Sequence, residues 1–264
     1  MSSANDIILR TSKLTKNFGG LVAVNDVSLD VERGSVKAII GPNGSGKTTF
    51  FNLITGALPP SAGSIFFQGH DITRYSMHQR TREGIARSYQ ITNIFPYQTT
   101  FENIRLAAQG CSGPKVNFFG MLNKANSYSD LHEKVIDIAM IVGLDPARLY
   151  VLAALIPHAE KRKLEIAMAL ASEPSLLLLD EPAAGMAIEE IPEVIDSIMR
   201  VKKSYGDKLT ILVVEHKMDI VMKLSEEIIV LSEGRMIAKG PPKEIQQNEE
   251  VLTAYLGGTD EKLA

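Results

Sequence analysis

The stretch Gly41-Pro42-Asn43-Gly44-Ser45-Gly46-Lys47-Thr48-Thr49 decides how this chain is read. Gly41, Gly46, Lys47 and Thr48 fall at the spacing G-x-x-x-x-G-K-[ST]. At average composition such a pattern arises by chance in roughly one protein of this length per hundred, so its surroundings have to decide. Upstream, Ser35 to Ile40 reads as a buried strand, and downstream a helical stretch runs to Gly56 before Pro59-Pro60 stops it. Strand, glycine loop and helix in that order make a phosphate cradle. Glycines let the backbone curl so that N–H groups point inward, and the helix start adds its positive end. Lys47 supplies a point charge for the β- and γ-phosphates, and the Thr48 hydroxyl can reach Mg²⁺. The plainer alternative is a tight turn between a strand and a helix.

A second acidic element lies at Leu176-Leu-Leu-Leu-Asp180-Glu181-Pro182. An apolar run of that length, ending in two carboxylates, reads as a buried strand that delivers both acids to its end. By itself the wording fits a turn. Beside a phosphate loop, Asp180 becomes a Mg²⁺ ligand, direct or through water, and Glu181 a general base for an attacking water. His216 follows the apolar run Leu209 to Val214 and could hold that water in line. A lone His at a strand end is otherwise a capping or solvent-facing residue.

Working outward, Val27, Leu29 and Val31 alternate as a half-exposed strand. Ser64–Gln68 and Ala86–Gln90 read as short strands, Ile188–Lys203 and Met218–Ser225 as helices. Ile228–Leu231 and Arg235–Lys239 read as a hairpin around Glu233-Gly234. The middle differs. Leu131, Val135, Ile138, Ala139 and Val142 carry helical spacing, while Gly110 to Ser129 is rich in breakers and polar residues and reads as a loop or irregular insertion. The expectation is one α/β domain spanning 1–264: a core of about 5–95 and 172–256, a helical lobe of about 96–171, and a polar tail over 257–264.

The 264 residues are 45% hydrophobic and 22% charged with a formal net charge of −3, an ordinary globular composition that gives no reason to expect nucleic acid as partner. Lys161-Arg162-Lys163 is the main basic cluster and reads as a solvated helix face. One cysteine, Cys111, excludes an intrachain disulfide. No apolar run approaches the roughly 18 residues of a membrane span, and the start lacks the pattern of a signal peptide. The expectation is a chain that is cytosolic by itself and that, if it works at a membrane, docks there on another protein.

These pieces, in this order, resemble the nucleotide-binding subunit of ABC transporters over nearly the whole chain. The resemblance implies a RecA-like P-loop core with an antiparallel β subdomain and an inserted helical subdomain, ATP and Mg²⁺ as ligands, and transport-coupled ATP hydrolysis. It places Phe18, in Lys16-Asn17-Phe18-Gly19-Gly20, on the adenine, and Pro42, Asn43, Gly44, Ser45 and Thr49 with the rest of the loop around the phosphates. Gln90, in Arg87-Ser-Tyr-Gln90, matches the Q-loop that senses Mg²⁺ and the γ-phosphate, and His216 the switch histidine. The implied partners are membrane permease subunits, a second ATP-binding subunit and a solute-binding protein. Asp180-Glu-Pro-Ala-Ala-Gly185, Leu164-Glu-Ile-Ala167 and Ala254-Tyr-Leu-Gly257 look most like the subgroup for uptake of branched-chain amino acids, with relatives acting on urea or amides.

The likeness fails at one motif. Where the family carries Leu-Ser-Gly-Gly-Gln or a close variant, this chain has Ile156-Pro157-His158-Ala159-Glu160. In the family that segment clamps ATP held by the opposite subunit. Pro157 has neither hydroxyl nor N–H, Ala159 adds a Cβ, and Glu160 is expected to bring negative charge toward a phosphate. Two readings stand: the segment is now simply a capped helix start, or Lys161 to Lys163 partly replace the lost contacts. Ala187, in Gly185-Met-Ala-Ile188, likewise lacks the polar group expected there. Both defects concern what the chain offers a partner's nucleotide, which implies pairing with a different ATPase chain rather than with itself. A non-hydrolysing, regulatory ATP-binding subunit is the alternative function, as is the ATPase of a lipid exporter. For permease docking, Ile94, Phe95 and Tyr97 are the candidates; their other reading is the core of the helical lobe.

Overall fold

The computed structural model describes residues 6–88, 94–111 and 124–256. Two sheets carry the architecture. The first is antiparallel, in the order β2-β1-β4-β5, from β1 (Ile7–Phe18), β2 (Leu21–Glu32), β4 (Ala62–Phe67) and β5 (His70–Asp71). The second joins β3 (Val36–Ile40), β6 (Ile85–Ser88), β7 (Leu176–Asp180), β8 (Thr210–Val214), β9 (Glu227–Ser232) and β10 (Arg235–Gly240), in the order β10-β9-β3-β8-β7-β6. Neighbours from β9 to β6 run parallel, and β10 closes the edge antiparallel.

Every residue of β3, β7 and β8 is buried. That is why Leu176–Leu179 and Ile211–Val214 are continuously apolar: a parallel sheet is covered on both faces. On one face, helix α1 (Lys47–Thr55) packs Phe50, Phe51, Leu53 and Ile54 between the two sheets, against Ile8, Leu14, Val24 and Phe67. On the other face lie α3 (Thr100–Cys111), α4 (Lys124–Val142), α5 (His158–Leu170) and α6 (Ile191–Tyr205), whose Ile104, Val135, Leu164 and Ile198 share a core with Leu177 and Leu179. Shorter helices α2 (Met77–Glu83), α7 (Met218–Leu224), α8 (Pro242–Gln246) and α9 (Glu249–Leu256) fill the flanks.

Several boundaries differ from the sequence reading. The first strand, β1, is interrupted in its pairing with β2 by register shifts; these break the alternation that would have marked it. The interval Gly110 to Ser129 is narrower than expected, because α3 extends through Gly110 and α4 begins at Lys124; residues 112–123 lie outside the described ones. Helix α6 starts at Ile191 rather than Ile188, with Pro192 in its first turn, where a missing N–H costs nothing. The expected strand Ala86–Gln90 is seen as Ile85–Ser88; Gln90 and the tail from Gly257 lie outside the described residues. Lys161-Arg162-Lys163 is not a solvated face. Arg162 and Lys163 are buried on α5, paired with Glu165 and with Glu160 and Glu193.

One buried cation ties α1 to the segment that follows β5. Arg80, in α2, donates from Nη1 to Leu53 O (2.6 Å) and Ile54 O (2.8 Å), from Nη2 to Thr73 O (3.0 Å) and from Nε to Tyr75 O (3.1 Å). It therefore caps the carbonyl end of the helix that begins at the phosphate loop. Burial pushes its pKa down to about 10, so it stays charged at neutral pH.

Candidate functional site

Parallel strands deliver their following loops to one edge of the sheet, where open α/β folds bind ligands. Here β3 ends in Gly41, β7 in Asp180-Glu181 and β8 in Glu215-His216. Because β8 pairs with both β3 and β7, the three loops are neighbours although 175 positions separate Gly41 from His216 in the sequence.

The phosphate loop is closely seated. A Cβ on Gly41 would lie 2.0 Å from Leu231 O, and one on Gly46, whose φ is +99°, would lie 2.3 Å from Ala23 O. Both positions require glycine for approach as well as for conformation. The β9–β10 turn supports the loop from below through Gly234 N–H donating to Ser45 O. Lys47 Nζ donates to Gly41 O (2.8 Å), Pro42 O (2.9 Å) and Ser45 Oγ (3.3 Å). Burial lowers its pKa, while Glu181 and Asp180 raise it.

A cavity of about 570 Å³ opens over this loop, lined by Asn43 to Thr49, Glu181 and His216, and at the other end by Phe18, Leu21, Val22 and Ala23. Its volume suits a small organic ligand. Polar loop at one end and apolar wall at the other match a phosphate tail and a base. Phe18 is half exposed, with Lys16 Nζ 5.2 Å from its ring centroid. Leu21, Val22 and Glu233 also line the cavity; sequence reasoning passed over them, because nothing in their local wording marks them.

Glu181 and His216 meet: His216 Nε2 lies 2.6 Å from Glu181 Oε1. Glu181 reaches this place from a left-handed backbone (φ +48°), pinned by its N–H to Val214 O at 2.9 Å. Asp180 is buried, and its Oδ2 accepts from Arg87 Nη2 at 2.5 Å. Among the described residues no group of three or more His, Cys, Asp or Glu forms a metal cage. Mg²⁺ is commonly held by one or two carboxylates together with substrate phosphates. Exposed Thr48 and buried Asp180 could supply the protein's share.

At the degenerate motif, Pro157 occupies the N-cap of α5 without a side-chain cap. Glu160 does not face outward as the sequence suggested. Its Oε1 accepts from Lys163 Nζ (2.8 Å) and its Oε2 from Asp145 N–H (3.1 Å). Lys161 Nζ donates to Ala154 O (3.0 Å), and Arg162 Nη1 to Glu165. All three cations thus have local partners, and the reading of a self-contained helix start gains from it. Ile94 packs against the helical core, whereas Phe95 and Tyr97 are exposed, so the two readings of that trio divide between its members.

The family model for ABC transporters matches residues 24–184, and a model for branched-chain amino acid ATP-binding cassette transporters matches 235–261. The chain is 35% identical over 254 residues to the high-affinity branched-chain amino acid transport ATP-binding protein BraF of Pseudomonas aeruginosa, covering 95% of this chain and 98% of that one. It is 34% identical over 255 residues to LivG of Escherichia coli, with the same coverage. A solved ATP-binding cassette of an ABC transporter, in its ADP conformation, superposes with a TM-score of 0.81 at 30% identity, over 95% of this chain and 99% of that chain. A phosphate loop and an acidic strand end brought to one sheet edge, in a chain matched over most of its length, make this protein a member of the ATP-hydrolysing cassette family of ABC transporters.

Proposed function

We propose that this chain forms a single cassette that binds Mg-ATP in the 570 Å³ cavity and hydrolyses it to drive solute uptake through membrane permease subunits. The observation that carries the reading is the 2.6 Å approach of His216 to Glu181 at the mouth of the phosphate loop. Glu181 takes a proton from water as the water oxygen attacks the γ-phosphorus, and the bond to the β-phosphate oxygen breaks to leave ADP. His216 holds Glu181 and the water in line. Lys47 and the loop N–H groups stabilise charge on the transferring phosphoryl group. Thr48 and Asp180, joined by Gln90 as the family resemblance implies, would hold Mg²⁺, which would supply Lewis-acid charge neutralisation. Phe18 and Leu21 give the base an apolar seat.

The names of BraF and LivG support branched-chain amino acids as the transported class; urea, amides or a lipid remain the alternatives. The choice of solute lies in the permease and capture subunits. The placement that follows is peripheral, at the cytoplasmic face; no helix among the described residues is long and apolar enough to cross a membrane. Pro157 and Ala159 support pairing with a different ATPase chain that carries an intact clamp. The test is Glu181→Gln in the reconstituted complex. Nucleotide binding should persist while turnover falls by orders of magnitude. Retention of most transport-coupled hydrolysis would overturn the assignment.

A further inference from the structure

Glu215 stands immediately before His216 and is 3% exposed. Among the described residues its hydrogen-bond donors are backbone N–H groups: Ala183 to Oε1 at 3.1 Å, His216 to Oε2 at 3.0 Å, and Lys217. Burial pushes its pKa up against the pull of these three donors. A buried carboxylate is expensive, and more so without an ion-pair partner, of which Glu215 has none among the described residues. If the position served packing alone, an apolar residue of similar size would do it at lower cost.

What the carboxylate touches explains its presence. Ala183 lies two residues beyond Glu181, in the loop that leaves β7. His216 and Lys217 lie in the loop that leaves β8. One side chain therefore spans the two loops that bring Glu181 and His216 together, and each of its oxygens holds a different loop. Without it, Ala183 N–H and His216 N–H lose their shared acceptor, and the 2.6 Å contact between Glu181 and His216 rests on the loops alone. The geometry points to Glu215 as a positioning residue that fixes the Glu181–His216 pair by clamping both of their loops. This rests on the roles proposed above for those two side chains.

The variant Glu215→Gln keeps the shape but turns one acceptor oxygen into an NH₂ donor, so one loop N–H meets a donor. In the reconstituted complex kcat should fall roughly 10-fold or more while KM for ATP stays within about two-fold, the pattern of lost alignment rather than lost binding. A second readout needs no turnover. In the full chain, the ¹³Cε1 resonance of His216 should move in Glu215→Gln toward its position in Glu181→Gln. Glu215→Asp, which keeps the charge but is one methylene too short to span both loops, should do the same. A His216 resonance unmoved in a folded variant would overturn the inference. So would variants that merely fail to fold, since the carboxylate would then serve the fold itself. If Glu181→Gln left hydrolysis intact, the catalytic reading would fail, while the resonance would still decide whether Glu215 holds the pair.

Discussion

Arg87 on β6 and Asp180 at the end of the adjacent β7 form a buried ion pair, with Nη2 2.5 Å from Oδ2, and the same guanidinium donates through Nη1 to Asn52 Oδ1 at 2.6 Å on α1. One cation thus joins the helix behind the phosphate loop to the strand that carries the acids. It holds the Asp180 carboxyl in place and sets a positive charge beside it.

Arg87→Met should strip Asp180 of its buried ion-pair partner, at a cost of about 3–5 kcal/mol. Mg-ADP then has more to restore in the variant than in the native chain. Thermal unfolding with and without Mg-ADP checks this. The variant should melt lower without ligand and gain more from it; equal gains in both proteins would show that Arg87 is no counter-ion for Asp180 at the nucleotide site.

Lys47→Ala removes the cation that the phosphate loop folds around. A charge-assisted contact is worth roughly 1.5–3 kcal/mol, so affinity for a fluorescent ATP analogue should fall about 10- to 150-fold, with the melting temperature of the free protein lowered little. A loss of fold instead of affinity would mean that Lys47 serves the loop's own carbonyls.

Arg80→Met removes a side-chain donor from four carbonyls, two of them at the end of α1; of these, Leu53 O keeps a backbone donor, Gly56 N–H. Orphaned buried groups cost roughly 1–3 kcal/mol each, so the loss should reach about 3 kcal/mol or more, measured by urea denaturation. Arg80→Lys, a point charge without the fork, should recover only part of it.

How much of this could be read from sequence follows from what each signal depends on. The apolar runs of β3, β7 and β8 were legible because burial on both faces leaves no polar alternation to confuse. The phosphate loop was legible because its glycines answer a local backbone demand. Helix α2 was missed, although Ser76 and Gln79 form a capping box and could have announced it. Arg87 and Glu215 could not have been found: their meaning lies in Asp180 and Ala183, 93 and 32 residues away. Glu160 was misjudged partly for the same reason, since the Asp145 N–H that holds its Oε2 lies 15 residues away, although Lys163, one helical turn further on, was open to a local reading.

Exposed apolar side chains gather on two neighbouring segments, 95–97 and 150–155. Tyr97 is 85% and Leu155 72% exposed, with Phe95, Tyr150 and Leu152 beside them, and the two segments are laced by Ala154 N–H to Pro96 O and Ala153 N–H to Gln98 O. Below them, buried Asn103 holds Phe95 through both its backbone N–H and its carbonyl. A supported apolar patch of this kind suits a permease contact. Tyr97→Asp should leave stability within about 0.5 kcal/mol and abolish co-purification with the permease subunits; intact assembly would place the contact elsewhere.

The clamp motif offers the sharpest contrast between the two nucleotide sites of a dimer. Pro157 offers no N–H and Ala159 no close approach, while Glu160 and Lys163 neutralise each other. Lost donors to a charged phosphate weaken a half-site by roughly 1.5–3 kcal/mol each, so the site that relies on this chain's clamp should turn over slowly. Restoring the donors with Pro157→Ser and Ala159→Gly together should speed that site by roughly ten-fold or more, because each contact is made to the partner's nucleotide and not to this chain's own. To isolate it, the measurement is made in a complex whose other site is silenced by Glu181→Gln in this chain. If turnover there stays flat, α5 has lost more than its donors, and Pro157 marks a helix start shaped for folding rather than for a neighbour's phosphate.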